Sequence, residues 1–234
     1  MRRAPVIACL AMILSAGAAA SGIVGARYDA PTTRYAHGVL GDAVEWGALV
    51  LTLSDGGTRR LILPRSRVFE DTAPRLADVD GDGDDEVIVV ETSLARGARL
   101  AIYDDAGLVA ATPHTGRPNR WLAPVGVADL DGDGHVELAY VDRPHLARVL
   151  RVWRYRNGAL YPVADLPGVT NHRIGWDFIP GGLRDCGQGP EMIVASADWA
   201  RVVAATFAGG GRIMTRTITA YEGPSSLDAA RACP

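Results

Sequence analysis

The same fifteen-residue block occurs twice, 51 positions apart: LADVDGDGDDEVIVV at Leu76–Val90 and VADLDGDGHVELAYV at Val127–Val141. A repeat at fixed period constrains a fold more tightly than local propensity does. Each unit is too small to bury its apolar residues alone and must stack on its neighbours. A third copy, GLRDCGQGPEMIVAS at Gly182–Ser196, follows at an offset of 54 and keeps the glutamate and the apolar run but few of the aspartates. Upstream, GALVLTLSDGG at Gly47–Gly57 aligns with GARLAIYDDAG at Gly97–Gly107 at an offset of 50. These matches predict four units, at about 28–77, 78–128, 129–182 and 183–234, the first without an acidic loop.

Within the units, short apolar runs rich in β-branched residues, such as Leu49–Leu53, Val87–Val90, Leu138–Val141 and Met192–Ala195, alternate with turn signals. Asp55-Gly56-Gly57, Asp105-Ala106-Gly107 and Asn157-Gly158 are the clearest of these turns. Asn-Gly is a two-residue hairpin signal because both of its positions take positive φ. No long stretch carries helical periodicity, so the predicted fold is all-β. Fifty residues per multi-stranded unit suits a propeller blade, and four copies predict a small propeller-like fold of about four blades. An open β-sandwich or a stack of blades is the alternative. RYDAPT at Arg27–Thr32 resembles AYEGPS at Ala220–Ser225, which suggests that the two chain ends carry equivalent outer strands and that one completes the other's blade. Phe69, Trp121 and Trp176 recur at one unit position, shortly before a proline, and are expected to pack between units.

The first twenty residues read as a leader. Arg2 and Arg3 precede an apolar run from Val6 to Leu14, then Ala18-Ala19-Ala20 and a polar Ser21, the three-part pattern of a cleaved Sec-type secretory signal. The run is too short for a full membrane span. Cleavage after Ala20 predicts a periplasmic or secreted chain, residues 21–234, with no stable membrane insertion. Losing Arg2 and Arg3 takes the formal charge from −3 to −5, 22 arginines standing against 27 acids. That balance argues against a nucleic-acid binder, which would carry a basic surplus. Cys9 leaves with the leader, so Cys186 and Cys233 remain, in a compartment where disulfides persist. A bond between them is predicted, with two free thiols as the alternative. Gapless alignment puts Leu183, Asp185 and Gly187 at the three aspartate positions of the third loop, so a covalent link there would replace a lost metal. Ser225-Ser226-Leu227-Asp228 resembles a helix start that would carry Cys233 back across the last unit.

Chemistry concentrates in the two intact loops, D-V-D-G-D-G-D-D-E at Asp78–Glu86 and D-L-D-G-D-G-H-V-E at Asp129–Glu137. Carboxylates at positions 1, 3, 5 and 9 can converge on one hard cation if glycines at 4 and 6 let the backbone turn tightly. Calcium takes six to eight oxygens, so four side chains, the carbonyl of position 7 and water suffice. A carbonyl at position 7 explains why Asp84 and His135 are interchangeable. An EF-hand fails on spacing, because its loop ends on an acid at position 12, where this chain has Val89 and Tyr140. Magnesium prefers a stricter octahedron with more water.

These loops, each followed by an apolar strand, resemble the FG-GAP/VCBS repeat of integrin α-chain propellers and many exported bacterial proteins. The resemblance implies Ca2+ ligands at Asp78, Asp80, Asp82, Asp84 and Glu86, and at Asp129, Asp131, Asp133, His135 and Glu137, with position 7 contributing its carbonyl. It does not carry over the seven-bladed integrin-type ring, because only four units are present. Membership of such a family says little about activity. The favoured reading is a non-catalytic calcium-stabilised binding or interaction module with an envelope protein or glycan as partner. The alternative is a small periplasmic hydrolase or lyase using Asn171–Asp177, where His172 could act as base, Arg173 bind an anion and Asp177 orient either. Arg148, Arg151, Arg154 and Arg156 are expected to form either a solvated strand face or a basic surface. The sequence contains no nucleophile elbow, phosphate loop, zinc spacing or dinucleotide fingerprint.

Overall fold

A computed structural model describes residues 21–233, and the leader read at residues 1–20 lies outside them. Regular structure among the described residues is nearly all β, in antiparallel meanders. β1 (Ile23–Thr32), β2 (Glu45–Leu53) and β3 (Thr58–Ile62) lead into β4 (Arg67–Phe69), β5 (Arg75–Ala77), β6 (Glu86–Ser93), β7 (Gly97–Tyr103) and β8 (Leu108–Ala111). These eight form one sheet, because β4 pairs with both β2 and β6. A four-stranded sheet follows: β9 (Leu122–Ala128), β10 (Glu137–Asp142), β11 (Val149–Arg156) and β12 (Ala159–Pro167). β13 (Val169–Thr170), β14 (Gly182–Asp185), β15 (Pro190–Ser196), β16 (Arg201–Phe207) and β17 (Ile213–Ala220) make the last sheet. A helix, α1 (Pro224–Arg231), the only α-helix among the described residues, ends the fold. The Asn157-Gly158 turn joins β11 to β12 with both residues at positive φ, 52° and 75°.

Side-chain alternation explains the stacking. Successive residues of a strand face opposite sides, and the central strands carry continuous apolar runs, Val87–Val90, Leu138–Val141 and Met192–Ala195. Val87 and Val89 of β6 enter one core with Leu49, Leu51 and Phe69, while Ile88 and Val90 enter the next with Trp121, Leu138 and Tyr140. In β10, Ala139 and Val141 face a third core shared with Met192 and Val194 of β15. Ile193 and Ala195 of β15 face a fourth core, which Leu227 and Ala230 of α1 complete. A strand apolar on both faces needs a neighbour on both sides, and the last sheet receives a helix in that place. Phe69 and Trp121 are buried in cores shared by successive units, as expected, whereas Trp176 is half-buried and stacks on Phe178.

Strand pairing does not close a ring. β1 pairs along its length with β2, and no ladder among the described residues joins it to the last sheet. The suggested pairing of the two chain ends is not formed, because Ala220–Ser225 runs from the end of β17 into α1 and offers no second outer strand. An open succession of stacked sheets results. Loops of the first and last sheets meet where the Gly175 amide donates to the Val39 carbonyl at 3.0 Å.

Candidate metal centre

Each intact loop connects an inner strand to the next strand of its sheet, and pairing places the two loops in the same register. Ala77 pairs with Glu86 across the first, and Ala128 with Glu137 across the second. Position 2 anchors each loop: Val79 and Leu130 are buried, one in each of two neighbouring cores. The buried position-9 glutamate supports that anchor. Glu86 Oε2 accepts the Val79 amide at 2.9 Å and Glu137 Oε2 accepts the Leu130 amide at 2.8 Å. The position-1 aspartate gathers the turn: Asp78 accepts the Gly81 and Gly83 amides, and Asp129 those of Gly132 and Gly134. Gly83 and Gly134 stand at φ 94° and 86°, where a side chain would be strained.

The result is two congruent carboxylate triads. Oxygens of Asp78, Asp80 and Glu86 lie within 4.8 Å of one another, and so do those of Asp129, Asp131 and Glu137. Of the residues singled out from sequence, Asp82 and Asp133 fall outside the triads and brace the turn, accepting the amides of Asp84 and His135. Asp84 and His135 likewise keep their side chains outside the triads. The donor set fits a hard cation, being entirely carboxylate oxygen. Asp131 Oδ1 adds a second sign: it is buried and has no hydrogen-bond partner. Burial, then the charges of Asp80, Asp82 and Asp78, push the Glu86 carboxyl up to about 7.

Charge compensation separates the two loops. Arg154 on β11 lies directly opposite Glu137 in the ladder. Its guanidinium reaches Glu137 Oε1 at 2.5 Å, Asp133 Oδ2 at 2.6 Å and Asp131 Oδ2 at 2.8 Å. The position beside Glu86, one step past the Val87–Tyr103 pair, is Asp104, an acid. Among the described residues no arginine or histidine pairs with Asp78, Asp80 or Glu86. Burial raises the Glu137 carboxyl too, but there the Leu130 amide and Arg154 oppose the rise.

The eroded third loop completes the series and corrects the gapless alignment. Arg184 pairs with Glu191 as Ala77 does with Glu86, so Asp185 holds position 1 and the loop is two residues shorter. Asp185 Oδ1 accepts the Gly187 and Gly189 amides, the role of Asp78 and Asp129. Glu191 is neutralised by Arg184 at 2.6 Å and Arg216 at 2.7 Å, and the pair holds its carboxyl below the usual range. Cys186 is bonded to Cys233, with Cα atoms 5.5 Å apart.

Residues 78–140 match the family model of the FG-GAP-like repeat. The matched segment spans both intact loops and the strands between them, the part of the chain in which the triads are built. No curated protein matches the chain.

Other sequence-singled residues are placed differently from expectation. His172 is buried in the connection between β13 and β14, its Nε2 donating to the Trp176 carbonyl at 2.9 Å and its Nδ1 facing His145 Nε2 at 3.1 Å. Both ring nitrogens are spent, and Asp177 is exposed without a hydrogen bond to the ring. The four arginines do not act as one surface: Arg151 pairs with Asp142 and Asp165, Arg154 with the second triad, and Arg148 Nη1 donates to the Ala197 carbonyl. Sequence reading missed Arg154 as a partner of the loop; its position opposite Glu137 depends on the β10–β11 register.

Proposed function

We propose that this chain is an exported, calcium-binding FG-GAP-type repeat module that binds a partner and performs no catalysis. The carrying observation is the Asp78–Asp80–Glu86 triad: three converging carboxylates, one buried, with no internal counter-cation. Ca2+ there would neutralise the triad and tie inner strand β5 to β6, while Asp82 and the carbonyl of Asp84 stand within the same turn to complete an oxygen shell. Asp129, Asp131 and Glu137 would hold a second ion, with Asp133 and the His135 carbonyl beside them. The cation's contribution is structural, fixing loops that a hairpin of the next unit overlies. Gly209 approaches so closely that an added Cβ would stand 2.9 Å from Asp131 Oδ2.

Export is supported by the leader pattern of residues 1–20 and by the Cys186–Cys233 bond, which suits an oxidising compartment. No helix among the described residues is long and apolar enough to cross a membrane. The acidic balance favours an envelope protein or glycan over nucleic acid as partner.

Thermal melts of the mature protein in chelator and in calcium test this reading. Extracellular calcium modules bind at about 10⁻⁴–10⁻³ M, so about 10 mM calcium should add roughly 1.4–2.7 kcal/mol by mass action. An unchanged melting temperature would remove the calcium reading. Capture from envelope extract, with and without chelator, would then identify the partner.

A further inference from the structure

At the opposite end of the sheets from the acidic loops lies a cavity of about 220 Å³ whose charged lining is two arginines, Arg120 and Arg143, beside His37, His145 and Asn119. β10 connects the two ends: Glu137 opens it at the second triad, Asp142 closes it, and Arg143 and His145 then enter the cavity wall. Six residues of strand put roughly 17–20 Å between them. Four separate segments supply the wall, including His37, Arg120, Arg143, His145, Leu146 and Ile174. No acid lines the cavity.

The polar groups are oriented from behind. Fully buried Glu70 holds His37, its Oε1 accepting from Nδ1 at 2.5 Å and its Oε2 from the Thr92 hydroxyl at 2.6 Å. His37 therefore has only Nε2 uncommitted. On the other wall the Trp176 carbonyl can only accept, so His172 Nε2 carries the hydrogen and His172 Nδ1 accepts from His145 Nε2. Burial keeps both rings neutral, pushing each down to about 4. His145 is left with Nδ1 as a lone-pair acceptor. Arg143 is forked onto Asp142 through Nε and Nη2, at 2.8 and 2.9 Å, which leaves Nη1 unused. The Arg120 side chain takes part in no ion pair among the described residues. Leu146 and Ile174 border this basic floor and are 58 % and 70 % exposed.

We propose that this cavity binds a small organic carboxylate with an apolar body, a ligand site separate from the metal loops. The Arg143 charge is cancelled by Asp142 and the His37 ring is backed by Glu70, so one uncompensated guanidinium remains, that of Arg120. A monoanion matches that charge, whereas a phosphate dianion exceeds it. Guanidinium forks match carboxylate geometry, and the exposed aliphatic pair gives an apolar body a surface to cover. The volume lies below the range of about 300–1,000 Å³ typical of drug-sized sites, so the ligand is small.

Phenylacetate is a suitable probe, titrated calorimetrically into the mature protein at constant saturating calcium. Saturable binding is expected, weakened at least about tenfold in Arg120→Gln. Phenylacetamide, which lacks the charge, and acetate, which lacks the body, should each bind at least about tenfold more weakly. Ile174→Ser should weaken phenylacetate about threefold with no change for acetate. Neither side chain is buried, so an unchanged melting temperature should show that both variants fold. Absence of phenylacetate binding up to about 10 mM would overturn the proposal. Equal binding of phenylacetamide would reduce the site to an apolar patch, and tighter binding of inorganic phosphate would make it a dianion site; either result refutes it. The metal loops are untouched by these variants, so their calcium response stands or falls independently.

Discussion

The Asp78 and Asp129 loops share their length, glycines, anchors and hydrogen bonds, yet they solve the same electrostatic problem differently. One leaves three carboxylates with no internal cation; the other inserts Arg154 among them. Uncompensated negative charge close to a buried glutamate is destabilising, so on the proposed calcium reading the first loop is the one that depends on an external ion. On the same reading the second can stand without one, and calcium would compete there with a guanidinium already in place. The third loop extends the trend, with two arginines on its glutamate and a disulfide beside them. Loss of loop carboxylates along the chain is thus matched by gain of fixed restraint.

The largest expected effect comes from the loop furthest from metal dependence. Cys233→Ser should cost about 4 kcal/mol on the chain-entropy model, in chelator and in calcium alike. A cost that calcium largely restores, read from denaturant melts, would break the separation between loops. Next, Asp80→Ala should abolish most of a calcium stabilisation of roughly 2 kcal/mol, whereas Asp131→Ala should leave most of it. Equal losses in paired melting curves would mean that Arg154 does not distinguish the sites. Arg154→Gln should cost about 2 kcal/mol in chelator, because it strands a buried carboxylate without its partner. The same substitution should tighten the second site about tenfold, a change of roughly 1.4 kcal/mol visible in calcium titrations. The smallest effect is the substitution of magnesium, which should give under about 1 kcal/mol in either loop because it dehydrates reluctantly. Magnesium matching calcium in the melt would instead point to general charge screening.

Much of the fold was legible because its information is local. Asn157-Gly158 marked a hairpin, and runs such as Val87–Val90 marked strands buried on both faces. The acidic loops were equally plain, since their carboxylates lie within nine residues. What escaped depends on pairing between strands. Arg154 faces Glu137 only through the β10–β11 register, and Asp185 takes position 1 only because the third loop is two residues shorter. His172 reads as a reactive loop residue, but the strands around it leave it buried with both nitrogens engaged. The basic cavity left no local trace, because His37, Arg120, Arg143 and Ile174 come from four distant segments. Ring closure was suggested by the similarity of Arg27–Thr32 to Ala220–Ser225, but only the first of these is strand, the second running from the end of β17 into α1.

Helix α1 has a consequence for how such an array can lengthen. Each inner sheet presents an apolar face that another sheet can cover, so a duplicated unit could be spliced between existing ones by remaking only nearest-neighbour contacts. The last sheet offers no such place. Leu227 and Ala230 already fill its outer core, and the Cys186–Cys233 bond fastens the helix there. Growth of the array by duplication is therefore directed to its interior, with the capped sheet carried along as a fixed terminus.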